Sequence, residues 1–146
     1  MSGQIVCDAS AVVALLLDDG PDGEWATQAL IGADLVAPHL MSFECANVIR
    51  RSELVGGVSA DQAAQAHADL LDLAIEAWPY HPLAARTWAL RSNLSMYDAS
   101  YVALTELTSV TLVTLDRRIG RAPDVRCTVA TPGVGGGAGG VRSGAE

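Results

Sequence analysis

Four carboxylates carry the chemistry this sequence suggests: Asp8, Glu44, Asp98 and Asp116. Asp8 and Asp116 each follow a short apolar run that reads as a strand, and the carboxyl ends of parallel strands share the edge where ligands sit. Glu44 lies among Met41, Ser42, Phe43 and Ala46, and Asp98 among Ala99, Val102 and Ala103, both in helical sequence. Each acid taken singly has a local explanation. Asp8 can cap the first helix, Glu44 can favour a first helical turn, Asp98 completes Ser95-x-x-Asp98, and Asp116 can cap the turn RRIG. Local capping does not explain their joint placement, because lone buried carboxylates are expensive without a cation or a partner. Hard oxygen ligands without His or Cys select Mg²⁺ or Mn²⁺ over zinc. Such a centre points to phosphate-ester chemistry, in which metal ions about 3.5 to 4 Å apart activate a water and stabilise the leaving oxygen. No protein nucleophile is required. Mutual repulsion should raise at least one of the four pKa values, so that neutralising Asp116 is expected to stabilise the metal-free chain.

The basic residues narrow the classes further. All nine are Arg, which removes a Walker P-loop and Schiff-base catalysis, both of which need Lys. The net charge of −8 is unevenly spread: residues 1–76 carry −10 and residues 77–146 carry +2. A local cluster, Arg117, Arg118, Arg121 and Arg126, can therefore grip phosphates in an acidic chain. Cys7, Cys45 and Cys127 are an odd number with no C-x-x-C pair and read as buried thiols. His39, His67 and His81 fall in no metal-binding pattern and are assigned to the surface or to caps. Trp25, Trp78 and Trp88 are assigned to the core, which is otherwise aliphatic, since only 5% of the chain is aromatic.

The elements that must position the acids follow from pattern. Residues 4–7 form a strand, 11–17 a helix, and Asp22 caps a second helix to about Ile31. A strand at 35–37 precedes a helix over 40–54 that carries Glu44. Ser59 and Gln62 fit a capping box opening a helix to about Ala77, followed by a short extended Trp78-Pro79-Tyr80. Pro82 opens a helix to about Arg91, Ser95 caps one over 96–107, and strands are expected at 110–114 and 126–130. Strands alternating with helices make an α/β domain over residues 1–132. Residues 133–146, half of them Gly, are expected to be a flexible tail in which Gly135, Gly137 and Gly140 match G-x-G-x-x-G by composition alone. The longest apolar run, Ala11 to Leu17, is far below the roughly 18 residues that cross a bilayer. The first basic residue is Arg50, unlike a secretory signal, so the cytoplasm is the expected compartment.

Four blocks in order, VCDASAVVALLL, PHLMSFECANVIRR, YHPLAARTWALRSNLSMYDASYVALTE and VTLVTLDRRIG, resemble PIN-domain ribonucleases, specifically VapC-type toxins of VapBC toxin-antitoxin pairs. The resemblance spans about residues 4–132. It implies a PIN-like α/β/α sandwich with a short, mainly parallel central sheet. It also implies that Asp8, Glu44, Asp98 and Asp116 are the catalytic, metal-binding acids, with Ser10 and Thr114 as polar supports. Mg²⁺- or Mn²⁺-dependent endonucleolytic cleavage of RNA, a cognate VapB-type antitoxin that blocks the site, and a homodimer are implied as well. Arg117, Arg118 and Arg121 begin directly after Asp116 and would meet RNA phosphates. The segment ELTSV departs from the pattern by lacking the Gly often found before the last T-x-D strand, and Thr105 replaces a common Ala.

Other acid-cluster enzymes do not fit. A response-regulator receiver needs a Lys, and a haloacid-dehalogenase-like phosphatase needs D-x-D where this chain has Asp8-Ala9-Ser10. The competing reading is a catalytically inactive PIN-like module that binds RNA or a protein. A site freed from metal duty has no reason to retain four repelling carboxylates. DNA as substrate is a third possibility.

Overall fold

β1 (Gln4–Cys7) is followed by α1 (Ala9–Leu17), α2 (Pro21–Leu30), β2 (Asp34–Pro38), α3 (Leu40–Leu54), α4 (Ala60–Asp72) and β3 (Ile75–Trp78). A 3₁₀ turn at His81–Leu83 leads into α5 (Ala84–Ala89), α6 (Met96–Thr108), β4 (Thr111–Val113), α7 (Arg117–Arg121), β5 (Thr128–Thr131) and β6 (Gly140–Arg142). The computed structural model describes residues 3–133 and 140–142. The sheet order is β3-β2-β1-β4-β5-β6, with β1 to β5 mutually parallel and β6 antiparallel to β5. The chain winds outward from β1 through β2 to β3, then restarts on the other side of β1 with β4. The crevice between β1 and β4 is thus a topological switch point, where open α/β sheets bind ligands.

The central strands are apolar on both faces because helices cover them, as parallel sheets require. Val6, Val36, Leu112 and Val129 are buried from the sheet, and Val12, Met41, Tyr101, Val102 and Leu104 from the helices. α1 is the hub for α2, α3 and α4, while α6 runs along β1, β2 and β4 with α5 against it. The three thiols are buried and unpaired, as expected, and burial pushes each up to about 12. Among the described residues no helix is long and apolar enough to cross a membrane.

Several boundaries differ from the sequence reading. α2 begins at Pro21 with Gly20 as its N-cap, so Asp22 sits in the first turn rather than capping it. The capping box of α4 forms with both bonds, Gln62 N to Ser59 Oγ at 3.1 Å and Ser59 N to Gln62 Oε1 at 2.8 Å. That helix nevertheless stops at Asp72, not Ala77, because Ile75–Trp78 is drawn out as β3 to pair with β2. Pro79, with no N–H to donate, ends the strand. Trp88 is exposed and lies 4.6 Å from the Arg91 guanidinium instead of in the core, whereas Trp25 and Trp78 are half-buried. Residues 140–142 form a strand where none was expected. The expected flexibility of 134–139 and 143–146 falls outside the described residues.

Candidate active site

Asp8 is the first residue past β1, and its backbone N–H donates to Val113 O across the β1–β4 pair at 3.2 Å. That register, Cys7 opposite Val113, places Thr114 next to Asp8. Asp8 Oδ1 accepts from Ser10 Oγ at 2.6 Å and from Ala11 N at 3.2 Å, and Oδ2 accepts from Thr114 Oγ1 at 2.5 Å. The two hydroxyls in turn accept from the turn after β4: Leu115 N donates to Ser10 Oγ and Asp116 N to Thr114 Oγ1, both at 3.0 Å. Each hydroxyl therefore ties one carboxylate oxygen to one backbone amide. Asp8 is only 6% exposed, and burial pushes its pKa up against the lowering effect of these hydrogen bonds. Among the described residues no cationic side chain forms an ion pair with it.

Glu44 lies in the second turn of α3, later than the first-turn position expected. Its Oε1 accepts from the Tyr101 hydroxyl at 2.6 Å. Tyr101 is buried on α6, three residues after Asp98 and so near the same helical face. Sequence reasoning missed Tyr101; its only signal was that spacing. Asp98 is half-buried in the first turn of α6, where its backbone N–H donates to the capping Ser95 hydroxyl at 3.1 Å. Burial raises the pKa of Glu44, with smaller contributions from Asp8 and Asp98. It raises that of Asp98 too, with the Asp116 charge adding to it.

Asp116 behaves differently. It caps α7 by accepting from Arg118 N at 2.9 Å and forms a two-point pair with the Arg118 guanidinium at 3.0 and 2.7 Å. That pair holds its carboxyl below the usual range. Asp98 and Asp116 line one cavity with Arg118 and Arg121, while Glu44 and Ser10 line a second with Val13, Asn47 and Arg51. The Arg cluster thus divides. Arg117 donates to Pro132 O at 2.8 Å, and Arg126 lines a separate cavity with Glu106 and Cys127.

The PIN domain family model matches residues 5–125. The chain belongs to the PIN-domain family. Within that family it is 38% identical over 125 residues to ribonuclease VapC9 of Mycobacterium tuberculosis, covering 86% of this chain and 95% of that protein. It is 36% identical over 127 residues to ribonuclease VapC1 of the same species, covering 86% and 96%. Among solved structures, the sarcin-ricin-loop-cleaving toxin VapC20 of M. tuberculosis superposes with a TM-score of 0.62 at 16% identity, covering 80% of this chain and 93% of that one. The PIN-like α/β/α sandwich is therefore the fold of this chain.

In this PIN domain the donor set is all oxygen, and a nearly inaccessible carboxylate has no counter-charge among the described residues. Both features fit a hard divalent cation. Among the described residues no three acidic, His or Cys side chains converge on one coordination point. The four acids instead divide: Glu44 lines one cavity, Asp98 and the Arg118-engaged Asp116 line another, and Asp8 is the most buried.

Proposed function

We propose that this chain is a Mg²⁺- or Mn²⁺-dependent endoribonuclease, the toxin of a type II toxin-antitoxin pair, acting through Asp8, Glu44, Asp98 and Asp116. The observation that carries the reading is the buried, uncompensated Asp8 carboxylate at the β1–β4 switch point, with two further acids of raised pKa beside it. Asp8 and its neighbours would hold the ion, with water completing the shell, as Mg²⁺ commonly allows. The chemistry supplied by a bound divalent ion is Lewis acidity towards phosphate oxygens and a more acidic water. The chain's own residues do the positioning: Ser10 and Thr114 fix both Asp8 oxygens, Tyr101 fixes Glu44, Arg118 holds Asp116, and the guanidiniums of Arg118 and Arg121 would meet phosphate charge at the cavity they line.

The names of the VapC relatives support RNA as substrate, and structures of VapBC2 from Rickettsia felis and FitAcB from Neisseria gonorrhoeae support a VapB-type antitoxin as partner. The cavity between α1 and α3 that reaches Ser10 and Glu44, with Val13 and Val48 in its wall, offers that partner an apolar seat. A homodimer is part of the same reading.

The deciding experiment incubates purified protein with labelled RNA and DNA panels in Mg²⁺, Mn²⁺ or EDTA. RNA should be cut internally with metal and left intact in EDTA. Asp98→Asn should lose activity by orders of magnitude while still folding. Full activity in EDTA or in that variant overturns the reading, and cleavage of DNA alone overturns the substrate. The product of the adjacent reading frame should form a complex and inhibit cleavage.

A further inference from the structure

We propose that the cavity beside Asp98 and Asp116 is a nucleotide subsite, holding the nucleoside next to the scissile phosphodiester of single-stranded RNA with the adjoining phosphate on Arg121. The inference rests on the ribonuclease reading above and adds where and how the strand lies. The cavity is about 580 Å³, within the roughly 300 to 1,000 Å³ typical of small-ligand clefts. Its lining combines the three chemistries a nucleotide presents. Asp98 and Asp116 line it with carboxylates, the half-buried Leu94 and Ala122 supply an apolar wall for a base, and Arg118 and Arg121 supply cations.

The two guanidiniums are not equivalent. Arg118 is occupied by Asp116, whereas Arg121 pairs with no carboxylate among the described residues, although the chain carries 17 acids. An exposed, unpaired guanidinium at the mouth of a cleft bounded by two carboxylates is suited to a phosphate oxygen pair, which it can bind bidentately. The apolar wall must be reached by a base edge or face that is free of its stack, and only unpaired RNA offers that without a melting penalty. The second cavity, on the Glu44 and Ser10 side, is lined by a different set of residues. A strand in this subsite would therefore cross the crevice with one side of the scissile bond towards α6 and α7.

The test uses the full chain and Arg121→Ala, whose exposed side chain can be removed without unfolding the protein; melting curves should coincide. Binding of a fluorescein-labelled, uncleavable 2′-O-methyl oligoribonucleotide is followed by anisotropy across a NaCl series. Losing one phosphate contact should reduce the slope of log Kd against log salt by about 0.7. On cleavable RNA, kcat/KM should fall by about 10-fold, chiefly through KM. Single methylphosphonate substitutions, each neutralising one phosphate, should show one position beside the cut where wild type loses as much as Arg121→Ala and the variant loses nothing more. A duplex of the same sequence should be a poor substrate for both. An unchanged salt slope and unchanged kcat/KM in a wild-type-active background overturn the subsite alone, as does the absence of any non-additive methylphosphonate position. If wild type cuts no RNA at all, the ribonuclease reading fails and the subsite with it.

Discussion

Thr114 reaches Asp8 across the β1–β4 pair, its hydroxyl donating at 2.5 Å to the carboxylate while accepting at 3.0 Å from the N–H of Asp116. One buried oxygen therefore orients the innermost acid and the start of the turn that presents another. Thr114→Val keeps the shape and removes both bonds, which should destabilise the fold by about 1–3 kcal/mol in urea unfolding. RNA cleavage should drop in parallel, and Thr114→Ser should recover most of both. Equal stability of Thr114→Val and wild type would show that the hydroxyl is idle.

The raised pKa values of Asp8, Glu44 and Asp98 fix the sign of the pH dependence. A carboxyl that holds its proton more tightly when folded contributes stability that is fully present below the unfolded value of about 4 and is lost as pH rises through the folded one. Melting temperatures in EDTA should therefore decline over this window, and Asp98→Asn should flatten the decline. Mg²⁺ at ten times its dissociation constant should add about 1.4 kcal/mol to wild type at neutral pH. An identical decline in wild type and Asp98→Asn would remove Asp98 from the cluster.

Asp116 has the opposite sign. Repulsion alone made its neutralisation look stabilising, yet the Arg118 guanidinium holds its carboxyl below the usual range. Its contribution is present above the unfolded pKa and lost as pH falls through the lowered one. Asn caps helices about as well as Asp, so Asp116→Asn isolates the ion pair. A small drop in melting temperature in EDTA at neutral pH is expected, matched by Arg118→Ala and not doubled in the double variant. A rise would restore the simpler repulsion picture.

Ser109 ends α6 with φ of +56°, a left-handed position that favours Gly. A side chain there is strained by about 1 kcal/mol. Ser109→Gly should accordingly raise the melting temperature by roughly 2–5 °C without altering cleavage. A lower melting temperature would mean that the Ser109 side chain makes a compensating contact.

Deleting residues 133–146 removes β6 and opens the outer edge of β5, an unpaired row of amides that invites association. Pro132 O, which Arg117 holds, is retained. Cleavage should persist, with a lower melting temperature and more self-association in light scattering. Unchanged behaviour on both counts would return these residues to the flexible tail first expected.

What the sequence revealed depended on how local the cause was. Ser59 and Gln62 cap each other within one turn, so the start of α4 was legible; its end was not, because Ile75–Trp78 fits a helix pattern until β2 offers an edge to pair with. The four acids were visible as residues because of where they stood relative to strands and apolar helices. Their differences were not. Asp116 and Asp8 both follow strands, yet one meets a guanidinium and the other only hydroxyls and an amide, a distinction made by side-chain direction. Arg117, likewise, was indistinguishable from Arg118 and Arg121 until its hydrogen bond to Pro132 separated it.

The bond between Asp8 and Thr114 spans 106 positions of sequence. β1 sits between a partner formed early in the chain and one formed late, so during synthesis the first half can build β1, α1, β2 and α3 while the crevice still lacks its second wall. Contacts of such long separation form slowly, after the entropy of closing a large loop has been overcome. Catalytic competence is thus a property of the completed fold and not of any contiguous fragment. Partial opening of β4 alone would dismantle the site while leaving the packed group of helices around α1 in place.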